Sequence, residues 1–223
     1  MMRFAWLLCL PLLAACGHLE GASMGDGAQL SDTSEAGREK ALYLDVIGNL
    51  QKQNLHRAAL AHLDEYDRRY GGSETSARRR AESLLAVGED AQAERAWLAL
   101  LPQVTDGAAY NGLGMVYARQ QRWAESRANF EAAVQREPTR ASYLNNLGYA
   151  LFRAGERDRA GFRLRQAEEL DPASGEIRNN LVTVLFANGR TAEAEQRLET
   201  VADRRQRDTI RRRAMRLAKG EEG

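Results

Sequence analysis

The side chains best suited to covalent or metal chemistry are few and poorly placed for it. The three histidines are His18, His56 and His62. His56 and His62 are six apart, whereas two imidazoles share a helical face at a spacing of about four. Both cysteines, Cys9 and Cys16, fall in the first sixteen residues, so the body of the chain has no thiol for catalysis, zinc or a disulfide. Glu168-Glu169 and Asp64-Glu65 are sequence neighbours. On a helix such neighbours face different ways and do not converge as an acid/base pair. Gly21-Ala22-Ser23-Met24-Gly25 fits G-x-S-x-G, but that elbow needs a strand before it and a helix after it, and here both flanks read as linker. There is no H-E-x-x-H and no Walker A motif. The expectation is a protein that is not an enzyme, with no cofactor, no metal site and no small-molecule substrate.

The elements that remain must therefore position a binding surface. In 223 residues, Lys and Arg number 32 against 31 Asp and Glu, a net charge of +1. That balance argues against a protein that coats nucleic acid. A hydrophobic fraction of 43% can bury a core, and four prolines with 7% aromatics suit helices better than a β-sandwich.

The N-terminus reads as an address. Arg3 precedes an apolar run, Phe4 to Leu13, broken only by Pro11. It is too short for a membrane span of about 20 residues but suits a secretory signal. Leu13-Ala14-Ala15-Cys16 then resembles the bacterial lipobox, in which the cysteine becomes the acylated first mature residue. The resemblance implies a signal peptide over 1–15 and lipid on Cys16. Gly17, where lipoproteins retained at the inner membrane usually carry aspartate, implies the outer membrane, seen from the periplasm. Residues 16–37 are expected to be the lipidated cysteine and a flexible tether, rich in Gly and Ser.

A period of 34 organises the rest. Pro138 and Pro172 are 34 apart, as are Leu113-Gly114 and Leu147-Gly148. Ala59, Ala93, Ser126, Ala160 and Ala194 follow at 34, 33, 34 and 34, each with a bulky residue four further on: Leu63, Trp97, Phe130, Leu164 and Leu198. Residues 107–140 and 141–174 resemble the tetratricopeptide repeat, through Leu113, Gly114, Tyr117, Ser126, Phe130 and Pro138, and through Leu147, Gly148, Leu151, Ala160, Leu164 and Pro172. Residues 175–208 match more loosely, and 38–106 are degenerate but in phase. The resemblance implies an all-α solenoid of about five helix pairs, well matched over 107–208, with a capping helix and tail at 209–223. Gly148 and Ala160 are expected where paired helices cross closely.

In this architecture the first helix of each repeat lines a concave groove. By family analogy its fifth position is asparagine three times, Asn111, Asn145 and Asn179, beside Met115 and Tyr149 at the ninth and Phe152 and Phe186 at the twelfth. These residues are the candidate partner-binding set. Amides would pair with a peptide main chain and aromatic faces with its side chains; alternatively the same groups hold neighbouring helices together. Asn146 and Asn180, one position on, are read as struts of the stack. Only Arg119 and Arg153 are basic at the positions of a carboxylate clamp, so a free C-terminal carboxylate is not the expected ligand. The stretch Asp203 to Lys219 carries seven arginines and one lysine against two aspartates, with Ile210, Ala214 and Leu217 on one face. It is read as a capping helix, or as a site for an acidic partner or anionic headgroups.

Residues 109–198, with their Y-N-x-L-G, L-N-N-L-G and R-N-N-L runs, look like the repeat lipoprotein of the tight-adherence (Flp) pilus system. That resemblance implies help in assembling or localising the outer-membrane secretin, with the secretin or other pilus assembly proteins as partners, the membrane reached through the lipid anchor, and no nucleic acid. The alternatives are a pilotin of a type IV pilus or type II secretion system, and a periplasmic adaptor for peptidoglycan enzymes.

Overall fold

The computed structural model describes residues 34–220. The signal segment, Cys16 and the first part of the tether lie outside these residues. The described chain folds into eleven helices and no strand. They form five antiparallel pairs: α1 (Glu35–Lys52) with α2 (His56–Tyr70), α3 (Glu74–Val87) with α4 (Asp90–Leu100), α5 (Ala108–Arg119) with α6 (Trp123–Arg136), α7 (Ala141–Arg153) with α8 (Arg157–Leu170), and α9 (Gly175–Ala187) with α10 (Thr191–Glu199). A last helix, α11 (Arg204–Ala218), follows them.

The turn inside each pair is built the same way. Asn54, Gly88, Gln121, Gly155 and Gly189 all have positive φ, between 59° and 89°, and they repeat with the sequence period. A left-handed residue there closes the first helix and starts the second. Glycine fits without strain in three of the pairs; Gln121 and Asn54 hold the same backbone with a Cβ.

Between helices the small-then-large pattern carries the packing. Ala59, Ala93, Ser126, Ala160 and Ala194 are completely buried, and their bulky partners four residues on are buried as well. The Ser126 hydroxyl, polar at a position where its counterparts are alanine, donates to the Gly114 carbonyl at 2.8 Å. At Gly148 an added Cβ would lie 2.6 Å from Leu164 Cγ and 3.3 Å from the Ala160 carbonyl oxygen. Leu164, rather than Ala160, therefore makes the closest approach. Between pairs, Trp97 of α4 lies against Gly112 of α5, which splices the second repeat to the third. The chain leaves α6 and α8 through Glu137 and Asp171, whose backbones are no longer helical (ψ 75° and 78°), directly before Pro138 and Pro172.

Two boundaries differ from expectation. α1 begins at Glu35, capped by the Ser34 hydroxyl, so the first helix starts before 38. α11 begins at Arg204, not 209, because Asp203 accepts the Gln206 N–H at 2.6 Å and caps it. α11 packs along α9 much more than against α10. It takes the place of a sixth first-helix, so the groove runs on to it. None of the described helices is long and apolar enough to cross a membrane.

Candidate protein-binding groove

The first helices of successive pairs are held side by side by a lattice of amides. Asn146 Nδ2 donates to Asn111 Oδ1 at 2.9 Å. One repeat later, Asn180 Nδ2 donates to Asn145 Oδ1, also at 2.9 Å. The rule is position six to position five of the preceding repeat. Asn145 then spends its own N–H on Glu176 Oε1 at 2.9 Å. Asn145 is only 2% exposed; it is a strut between helices, with both ends of its amide engaged. Asn146 and Asn180 take the bracing role expected of them.

Two clefts open on the concave face beside this lattice. The first, about 570 Å³, lies between α3, α5 and α7. Asn111, Met115 and Tyr149 line it, with Arg78, Glu82, Arg140 and Tyr143. Met115 is 41% exposed, an apolar side chain left in the open where an apolar ligand group could cover it. The arginines of this cleft are already neutralised. Arg78 bonds Asp106 at 2.8 Å and Glu74 at 2.7 Å, Arg119 lies 3.0 Å from Asp90, and Arg140 bonds Glu137 at 2.7 Å. Burial in the concavity pushes the Glu82 carboxyl up, against the opposing pull of Arg79, Arg78 and His56. Burial, and then the charge of Glu137, pushes the Tyr143 hydroxyl up to about 12. Tyr143 is thus a neutral hydroxyl at physiological pH.

The second cleft, about 400 Å³, lies between α7, α9 and α11. Asn145, Asn179, Tyr149 and Thr183 line it, together with Ile210, Arg213 and Leu217 of the last helix. Tyr149 is shared by both clefts and packs edge-on against Trp123 at 6.0 Å, which fixes its ring.

Phe152 and Phe186 depart from expectation: neither lines these clefts. Phe152 is 9% exposed and sits in the core of the last repeats, with Phe186 packed partly against it. Burying such a ring yields about 1.5–3 kcal/mol, and the space between neighbouring helices provides the site. Arg153 lies over the Trp123 ring at 4.4 Å and donates to the Tyr149 hydroxyl at 3.1 Å. The groove residues not anticipated are Arg78, Glu82, Arg140 and Tyr143; the sequence marks α11 as a cap or a site for an acidic partner, but not its residues as a wall of this groove. The 34-residue step itself would have found those of α11, since Arg213 and Leu217 stand 34 after Asn179 and Thr183. Among the described residues no group of three or more metal-ligating side chains converges.

Two family models, both described as tetratricopeptide repeat, match residues 105–173 and 151–217. Residues 105–217 are tetratricopeptide repeats. The repeat protein is 28% identical over 192 residues to the TPR repeat-containing protein PA4299 of Pseudomonas aeruginosa, covering 86% of this chain and 75% of that one. Among solved structures, the tetratricopeptide protein TTC0263 of Thermus thermophilus superposes with a TM-score of 0.67 at 20% identity, over 80% of this chain and 98% of that one. MamA of Desulfovibrio magneticus gives 0.58 at 17%, over 83% and 98%. YrrB, described as a tetratricopeptide protein with an unusual peptide-binding site, gives 0.54 at 17%, over 80% and 90%. These likenesses establish the solenoid and its concave face, the kind of fold that serves as a scaffold for protein interaction.

Proposed function

We propose that this repeat protein is a non-catalytic scaffold whose concave groove holds an extended segment of an envelope assembly component. It is held by lipid on Cys16 at the periplasmic face of the outer membrane. There it assists assembly or localisation of the secretin of a tight-adherence (Flp) pilus. The observation that carries the binding role is the pair of clefts on one face, joined at Tyr149 and lined by the unpaired Asn179 amide and the exposed side chain of Met115. A peptide-binding site described for YrrB, which shares the fold, supports the same use of the surface. The anchor rests on Leu13-Ala14-Ala15-Cys16, and the pilus assignment on the runs within 109–198.

The experiment places a photo-crosslinking residue at Met115 or Tyr149 in cells that build the pilus. The expected adduct contains the secretin. An adduct with a peptidoglycan enzyme replaces the partner, and no adduct from either position removes the groove from the function. Fractionating Cys16→Ser tests the anchor: it is expected to leave the outer-membrane fraction, since several acyl chains are needed for a stable hold.

A further inference from the structure

The amide lattice stops one step short. By its rule, position six of α11 should donate to Asn179 Oδ1, as Asn146 donates to Asn111 and Asn180 to Asn145. That position is Ala214, which has no donor. Asn179 Oδ1 is accordingly buried with no hydrogen-bond partner among the described residues. An acceptor removed from water and left unpaired is costly, and this one belongs to a residue lining the second cleft.

A second departure sits beside it. Position five is asparagine in three repeats and Arg213 in α11. Arg213 lines the cleft, is exposed, and forms no ion pair among the described residues. The contrast with the first cleft is sharp, because Arg78, Arg119 and Arg140 all have carboxylates there. The surrounding field favours an anion, since Arg204, Arg205, Arg212 and Arg216 on the same helix also form no ion pair among the described residues. The cleft's own carboxylate, Glu176, accepts from Asn145. Ile210, Leu217 and Tyr149 give the cleft an apolar side.

We infer that the cleft between α7, α9 and α11 is a subsite for an extended acidic peptide. An Asp or Glu side chain of the peptide pairs with Arg213, and a main-chain N–H meets Asn179 Oδ1 once that amide turns from its enclosed position toward the cleft. The inference rests on the reading of the concave face as a peptide-binding groove and adds the chemistry of what it selects.

The probes are two oriented libraries of twelve-residue peptides, degenerate except for a central residue fixed as Asp in one and Asn in the other. They are passed over the immobilised full chain in detergent. The wild type is expected to retain the Asp library about ten- to a hundredfold more strongly, the range of a charge-assisted hydrogen bond. The preference should shrink as salt rises. Arg213→Gln should abolish it, and Arg213→Lys should keep part of it. Asn179→Ala should weaken both libraries alike, by about two- to tenfold. Arg213 bonds nothing in the fold, so the melting point of Arg213→Gln serves as the folding control and should not move.

Equal retention of the two libraries by the wild type overturns the inference, as does an Asp preference that survives in Arg213→Gln. If peptides bind without acid preference and Tyr149→Ala releases them, the groove reading stands and this inference alone falls. If neither library is retained, or Tyr149→Ala changes nothing, both fall.

Discussion

Asn180 and Asn145 share one hydrogen bond of 2.9 Å across two neighbouring helices, and it divides the groove amides into those paired between helices and those left unpaired. Asn145 receives that bond and makes another to Glu176. Asn179, one repeat on at the same position, lines the cleft with its oxygen unpaired. Two residues alike in the sequence therefore differ in what their removal does.

Asn145→Ala is expected to destabilise the solenoid by about 1–2 kcal/mol, because it takes away two hydrogen bonds and leaves the half-buried Asn180 amide without its acceptor. Asn179→Ala is expected to be neutral or slightly stabilising, since it removes an oxygen that bonds nothing. Thermal melts of the two single variants decide the point. Equal losses would mean that the lattice does not hold the helices together.

The glycines give an opposed pair. Gly148→Ala would drive a Cβ to 2.6 Å from Leu164 Cγ, and Leu164 is fully buried. Overpacking of this kind costs about 1–3 kcal/mol. Gly161, inside α8, has its nearest would-be contacts at 3.5 Å from Arg165 Nη1 and 3.6 Å from Val184 Cγ1, which is ordinary packing distance. Gly161→Ala should therefore stabilise by about 0.5–1 kcal/mol through the helix alone. Urea midpoints should move in opposite directions, and a shift in the same direction would show that the close crossing at Gly148 is relaxed in solution.

Gln121 holds φ at 59° where the fourth and fifth pairs use glycine. A side chain in that backbone costs about 1–2 kcal/mol, and glycine costs the unfolded chain about 0.5–1 kcal/mol of ordering. Gln121→Gly should then be stabilising by up to about 1.5 kcal/mol, while Gln121→Ala, which keeps the Cβ, should not be. A melting point that rises for both would place the effect in the glutamine side chain and not in the turn.

The repeat period made the helices, their turns and their core legible, because Ala160 with Leu164 and its counterparts obey purely local rules of size and spacing. The groove was less legible. Whether Asn145 faces a ligand or a neighbouring helix depends on a partner 35 residues away, Asn180, and spacing within one helix cannot show it. Phe152 and Phe186 were expected on the concave wall because they occupy a groove position, but rings of that size found apolar space between helices. The last helix is legible in the sequence as a cap but not as a sixth inner helix, because residue types change there while register does not. Ile210, Ala214 and Leu217 keep the step from Glu176, Asn180 and Thr183, yet none of the repeat's signature letters survive.

That preserved register makes the last prediction specific. Ala214→Asn would put an amide at position six of α11, the place from which Asn146 and Asn180 bond backwards. Its Nδ2 should reach Asn179 Oδ1 and complete the lattice, gaining about 0.5–1.5 kcal/mol for the bond. Ala214 is 2% exposed, so the larger side chain must lie along α9 and across the cleft floor, and Ala214→Leu is the control for bulk alone. Ala214→Asn should raise the melting point and Ala214→Leu should not. The same variant should also lose peptide retention in the second cleft, because the acceptor offered to a ligand is now taken from within. Higher stability with undiminished retention would separate the two roles of Asn179 and show that its oxygen is no part of the binding site. A lowered melting point in the Asn variant, matched by the Leu variant, would show that α11 cannot admit the amide and that the lattice ends at α9 for steric reasons.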